Sequence, residues 1–218
     1  MMAIDIEYAY KILHRLRSAF PKVQVELETD PFRGLILAIL SQNTRDTYAY
    51  TAYRSLEERI GLSIEDILKA DEESIAEAIR SAGLQREKAK RLKEAAKFIA
   101  GMGGSLKSIL DLPLDEARAK LMEIEGIGRK TADVILLFYG GKPVIPVDTH
   151  VRRVSARLGL TGRGIGYEEI RRGLESLYKP EDYMDVHLLL IALGRSYCRS
   201  RKPRCSLCPV NDICPSRT

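Results

Sequence analysis

The first 197 residues contain no cysteine; all four lie between Cys198 and Cys214, in the closing stretch CRSRKPRCSLCPVNDIC. That confinement rules out a disulfide framework running through the chain. Nor does any apolar run approach the roughly 18 residues of a membrane helix, and the N-terminus has no signal-peptide core. The expectation is a soluble intracellular protein with no membrane partner. Such a compartment is usually reducing, so four clustered thiols point to metal ligation rather than disulfides. Internal repeats and low-complexity segments are also missing. With 45% hydrophobic and 30% charged residues, the balance is globular, which excludes a disordered chain.

Acidic residues are absent from Gly194 to Arg204, where five bases fall together: Arg195, Arg199, Arg201, Lys202 and Arg204. Arg152, Arg153 and Arg157 form a second basic run, whereas Glu57 to Glu77 is mostly acidic and reads as a solvated helical face. The net charge of +5 permits an anionic partner. Its uneven placement is the usual electrostatic footprint of a nucleic-acid binder.

Convincing alternating strands are missing too. KPVIPVDT is short and broken by proline, so it reads as a linker. Helical spacing covers Tyr8 to Phe20, stopping at Pro21, and Phe32 to Leu40 is apolar enough for a buried helix. Ser63 to Asp66 resembles a capping box opening another helix. Ser74 to Ala82 and Arg86 to Ala100 continue the pattern, and glycines with Pro113 mark a loop before a helix over Leu114 to Ile124. The fold class is all-α.

LMEIEGIGRKTADVILLFYGG joins two helices through Gly126-Ile127-Gly128. Glycine permits positive φ and close backbone approach, so this turn can offer N–H groups to a phosphate, aided by the dipole of the following helix. Gly-x-Gly between helices is also what a plain helical turn looks like. Lys130 falls in the first turn of the second helix, where the positive helix end disfavours its ammonium form and helps expose a nucleophilic amine. Asp148, in PVDTHVRR, suits the N-cap of a helix beginning near His150. An ionised carboxylate there can also stabilise a developing sugar cation. Each residue has an ordinary structural reading; side by side with a phosphate-binding turn they suggest chemistry.

LMEIEGIGRKTADV, VDTH and the C-x6-C-x2-C-x5-C tail, in that order over nearly the whole chain, resemble the endonuclease III branch of the helix-hairpin-helix DNA glycosylases. The resemblance implies a bifunctional DNA glycosylase/AP lyase of base excision repair that removes oxidised pyrimidines and nicks the abasic site. It implies a six-helix barrel over residues 31–142, a helical iron-sulfur domain built from 1–30 and 143–218, and a DNA-binding cleft between them. Spacing alone leaves a four-thiolate zinc site open, slightly ahead of an iron-sulfur cluster. The family pattern reverses that order and makes Cys198, Cys205, Cys208 and Cys214 the ligands of a 4Fe-4S cluster. Arg199, Arg201, Lys202 and Arg204 then form a pinned loop facing DNA phosphates.

The target base must leave the duplex. By resemblance, Leu84 and either Gln42 or Asn43 fill the gap, with Gly126 and Gly128 binding the backbone. Lys130 is the expected nucleophile, forming a Schiff base that leads to β-elimination, with Asp148 stabilising the sugar cation. The partner is double-stranded DNA carrying damaged bases or abasic sites, bound by a monomer in a prokaryotic cytoplasm, at the nucleoid. A monofunctional mismatch glycosylase would lack Lys130, and its adenine-mismatch branch would place glutamate where Leu37 stands. A non-catalytic hairpin module would need neither Lys130, Asp148 nor the cysteines.

Overall fold

A computed structural model describes residues 5–23 and 27–217. Parts of the expected N-terminal segment, residues 1–4 and 24–26, lie outside the described residues. Among the described residues twelve α-helices follow in order: α1 (Ile6–Ala19), α2 (Pro31–Leu40), α3 (Asp46–Arg59), α4 (Ile64–Lys69), α5 (Glu72–Ala78) and α6 (Gln85–Gly101). Then come α7 (Leu106–Leu110), α8 (Leu114–Glu123), α9 (Arg129–Phe138), α10 (Thr149–Arg157), α11 (Tyr167–Glu175) and α12 (Tyr183–Ser196). Among the described residues there is no strand, so the fold is all-α as expected. Among them, too, no helix is long and apolar enough to cross a membrane.

The chain divides into two compact units, Leu27–Lys142 and Met1–Glu26 with Pro143–Thr218. In Leu27–Lys142, α2 begins with Asp30 accepting a hydrogen bond from Phe32 N and with proline at its start, where no N–H is needed. Phe32, Leu35, Ile36, Ile39 and Leu40 are then buried against α3, α6 and α9, which explains why this helix is apolar nearly all round. Ser63 and Asp66 close a complete capping box at α4. The acidic stretch is not one helical face: it covers the end of α3, a turn, α4 and α5. Likewise the helix expected over Ser74 to Ala82 is α5 followed by a 3-10 turn at Arg80–Ala82. Within the expected loop before Leu114, α7 forms, with Ser105 as its cap and Leu106, Ile109 and Leu110 buried. At five residues it is too short for periodicity to reveal.

In the other unit α12 packs on α10 and on α1, so a segment from the start of the chain completes a core made from its end. Polar side chains fix that docking. Tyr178 Oη donates to Ala9 O (3.2 Å), Tyr10 Oη donates to Asp182 Oδ2 (2.8 Å), and Arg17 pairs with both Asp182 and Asp185.

Asp133 of α9 is fully buried, and Arg118 of α8 grips it through Nε to Oδ1 (2.6 Å) and Nη2 to Oδ2 (3.1 Å). A buried carboxylate demands such a partner. Removing it takes the two-point carboxylate grip from a guanidinium only 15% exposed, at a cost of about 3 kcal/mol. Asp133→Ala should therefore lower the thermal midpoint by roughly 6–12 °C, measured by circular dichroism, with Asp133→Asn losing less. An unchanged midpoint for Asp133→Ala would show that the pair does not hold α8 to α9.

Candidate active site and metal centre

The turn between α8 and α9 is short. Ile127 N donates to Ile124 O (3.0 Å), and the buried Ile127 side chain anchors a loop whose neighbours Gly126, Gly128, Arg129 and Lys130 are all exposed. The two glycines are there for different reasons. Gly126 has φ +84, and a Cβ on it would lie 2.5 Å from Arg91 Cδ, so conformation and packing both require glycine. Gly128 has ordinary backbone angles as the N-cap of α9, and a Cβ there would meet open space. Its surroundings leave the exposed α9 N-terminus accessible to an anion. Lys130 is the second residue of α9 and projects from this end.

Gln42 and Asn43, in the loop after α2, behave differently. The Gln42 amide is occupied at both ends. Its Nε2 donates to Gly126 O (3.1 Å) and Thr131 Oγ1 (3.3 Å), while its Oε1 accepts from Arg91 Nη1 (2.7 Å). Gln42 thus ties the loop to the hairpin turn, a role that needs tertiary contacts and has no local sequence signal. Asn43 is exposed and left-handed, with φ 54. Leu84 is left-handed as well, with φ 50, and is 50% exposed at the start of α6. A leucine in that region of backbone space, unburied, costs about 1–2 kcal/mol and is sustained only by its surroundings.

Asp148 is the N-cap of α10, its Oδ1 accepting from Val151 N at 2.7 Å. The preceding segment is extended yet firmly held. Ile145 N donates to Glu175 Oε1 (3.0 Å), Val147 N donates to Tyr167 Oη (3.2 Å), and His187 Nδ1 donates to Pro146 O (2.9 Å). Val144 to Val147 are buried, so the proline-broken segment is packed into its own unit. His150 is half-buried, and burial holds its imidazole below the ordinary range.

The basic residues divide into anchors and exposed arms. Arg153 Nε donates to Cys198 O (3.0 Å), and Arg157 Nη1 donates to Arg199 O (2.7 Å) and approaches Cys198 Sγ at 3.5 Å. These two members of the second basic run therefore shape the cysteine loop from α10. The loop's own Arg199, Arg201, Lys202 and Arg204 are all exposed, with Lys202 at φ 48.

Cys198, Cys205, Cys208 and Cys214 are half-buried around a single cavity of about 440 Å³, also lined by Arg157 and Leu193. Among the described residues, no three His, Cys, Asp or Glu side chains converge as a single metal ion requires. A zinc ion about 2.3 Å from each sulfur would draw the four together. Four thiols lining one cavity supply the four thiolate ligands that an iron-sulfur core takes as well. Burial, and then the neighbouring thiolates, push the Cys208 thiol up, and burial likewise raises Cys214. Bonding to iron compensates thiolates held in such a setting.

The sequence profile of the HhH-GPD superfamily, base excision DNA repair proteins, matches residues 36–180 and sets the class. That of the iron-sulfur binding domain of endonuclease III matches residues 198–214. Endonuclease III of Sulfolobus acidocaldarius is 40% identical over 184 residues, covering 84% of this chain and 81% of the relative. For endonuclease III of Bacillus subtilis the figures are 33% over 203 residues, 93% and 89%. The solved structure of a trapped endonuclease III–DNA covalent intermediate has a TM-score of 0.86 at 29% identity, over 98% of this chain and 97% of that one. The chain belongs to the endonuclease III family, and is a DNA glycosylase/AP lyase of base excision repair with a 4Fe-4S cluster.

The purified protein should be yellow-brown and hold iron and acid-labile sulfide in equal amounts, and Cys208→Ala should lose both. Stoichiometric zinc in a colourless protein would contradict this.

Proposed function

We propose that this glycosylase/AP lyase removes oxidised pyrimidines from double-stranded DNA and cuts the resulting abasic site with Lys130 as nucleophile. The observation that carries the reading is the exposed Lys130 on the first turn of α9, directly after the Gly126–Gly128 turn. A turn that binds the DNA backbone through Gly126 and Gly128 brings a phosphate to the same helix end, and with it the sugar on which an amine can act. The lesion class follows from the family resemblance. DNA as partner accords with the endonuclease III–DNA complexes among the structural relatives.

The Lys130 amine attacks the sugar C1′ as the glycosidic bond breaks, and the departing base takes the bonding electrons and a proton. The amine gives up its remaining proton as the sugar ring opens to an imine. Loss of a 2′ proton then expels the 3′ phosphate by β-elimination. Asp148 carries the negative charge that opposes the sugar cation while its Oδ1 caps α10. Cys198, Cys205, Cys208 and Cys214 hold the cluster, whose part is to stiffen the loop presenting Arg199, Arg201, Lys202 and Arg204 to phosphates. Leu84 and Asn43 are the residues that enter the duplex, since the Gln42 amide is already engaged at both ends. Leu27–Lys142 serves as the barrel domain and Met1–Glu26 with Pro143–Thr218 as the cluster domain. The enzyme works as a monomer at the prokaryotic nucleoid, in the cytoplasm.

Lys130→Gln should abolish strand cleavage at abasic duplexes while iron content, helicity and DNA affinity persist. Asp148→Asn keeps an acceptor for Val151 N, so the fold should hold while base release falls about 10²- to 10³-fold. Cleavage by Lys130→Gln at the wild-type rate would refute the assignment.

A further inference from the structure

Lys88, on the first turn of α6, is fully buried, yet among the described residues its hydrogen bonds go to no carboxylate. Its Nζ donates to Leu40 O (2.7 Å), Thr44 Oγ1 (2.7 Å) and Ala82 O (3.0 Å). Three acceptors match the three N–H bonds of an ammonium group. Burial, and next the positive charge of Arg91, bring its pKa down to about 8. Keeping such a cation inside the unit is expensive unless the bonds it makes are needed.

Those bonds join two loops. Leu40 O is a carbonyl at the C-terminal end of α2, and Thr44 closes the loop that contains Asn43. Ala82 O ends the 3-10 turn leading into Gly83 and Leu84. Thr44 Oγ1 lies within hydrogen-bond distance of Ala82 O and of Gln42 O, so the loops are also bonded to each other next to the ammonium. Each loop carries an exposed non-glycine residue held left-handed, Asn43 at φ 54 and Leu84 at φ 50. Backbone in that region relaxes unless its surroundings fix it. Gln42 ties the first loop to the hairpin turn, whereas Lys88 spans both loops at once.

We propose that Lys88 is a positioning residue: a buried cationic clamp that fixes the Asn43 loop and the Leu84 loop relative to each other, so that their tips enter the duplex together when a damaged base is displaced. This rests on the proposed function of those two tips. Lys88 itself touches no substrate. Its removal therefore affects the step in which the stack is opened, and leaves the chemistry on an already exposed sugar in place.

The test uses the full cluster-bearing protein with Lys88→Gln and, as a milder change, Thr44→Val, which removes one acceptor and leaves the ammonium buried. The duplex carries an abasic-site analogue with 2-aminopurine opposite it, whose fluorescence rises on unstacking. Wild-type protein should produce that rise. Lys88→Gln should bind without it and should release an oxidised pyrimidine from duplex DNA about 10²-fold more slowly, the scale of an ångström-sized misplacement. Thr44→Val should shift both readouts in the same direction by less. Nicking of a single-stranded abasic oligonucleotide, which has no partner strand to open, should persist in both variants. Leu84→Ala combined with Lys88→Gln should cost less than the two separate losses together, since both act on one step. Wild-type unstacking by both variants would overturn the clamp, and so would equal losses on single-stranded and duplex substrates. Because unstacking requires no bond cleavage, this readout judges the clamp even if Lys130 proves not to be the nucleophile.

Discussion

A carboxylate with no access to water sets the position of the hairpin helix. Asp133 cannot be buried in α9 without Arg118 beside it, and the two-point grip between a planar guanidinium and a carboxylate allows little rotation. Such a pair contributes geometry more dependably than net stability, because desolvation offsets much of the attraction. It fixes how α9 sits on α8, and so where the first turn of α9 emerges. Lys130 is three residues before Asp133 and lies on the exposed end. From the other side Gln42 and Arg91 hold the Gly126 turn. The proposed nucleophile is thus carried by a helix end fixed from two directions, which is what a group required to meet one sugar carbon needs.

The unit containing the cysteines follows the same logic with different materials. Its described residues 199–217 include two short 3-10 turns and bury few apolar side chains, so they draw stiffness from elsewhere. Arg153 and Arg157 reach from α10 to carbonyls of the cysteine loop, and the four thiols, as the proposed cluster ligands, would be tied to one core. Placing arginines behind the loop and further bases on its outside keeps the exposed charges close without leaving the backbone unsupported. Tyr10 and Arg17 of α1, bonded to Asp182 and Asp185, close the other end of the unit.

Features governed by neighbours along the chain are legible in the sequence itself. The Ser63–Asp66 box, the glycine turn before Lys130, Asp148 as a helix cap and the all-α class depend on local rules, and the structure shows each of them. The preference for an iron-sulfur cluster over zinc comes from family resemblance, since spacing alone leaves both open. What stays hidden depends on residues distant in sequence. Nothing local separates buried Lys88 from the exposed Lys90 two positions later. Gln42 becomes an anchor only once Gly126 and Arg91 are folded beside it, and Arg153 and Arg157 read as DNA-facing charge until the cysteine loop lies against them. The five-residue α7 falls below the length at which a hydrophobic period can be seen.

The central claim is that one particular amine, at the N-terminal turn of α9, becomes covalently joined to DNA. Borohydride reduction of the enzyme on an abasic duplex, followed by nuclease and protease digestion and mass spectrometry of the peptides, tests it most directly. The account predicts a single peptide bearing a reduced deoxyribose remnant on Lys130. A remnant on another lysine or on the terminal amine, with Lys130 unmodified, would contradict it.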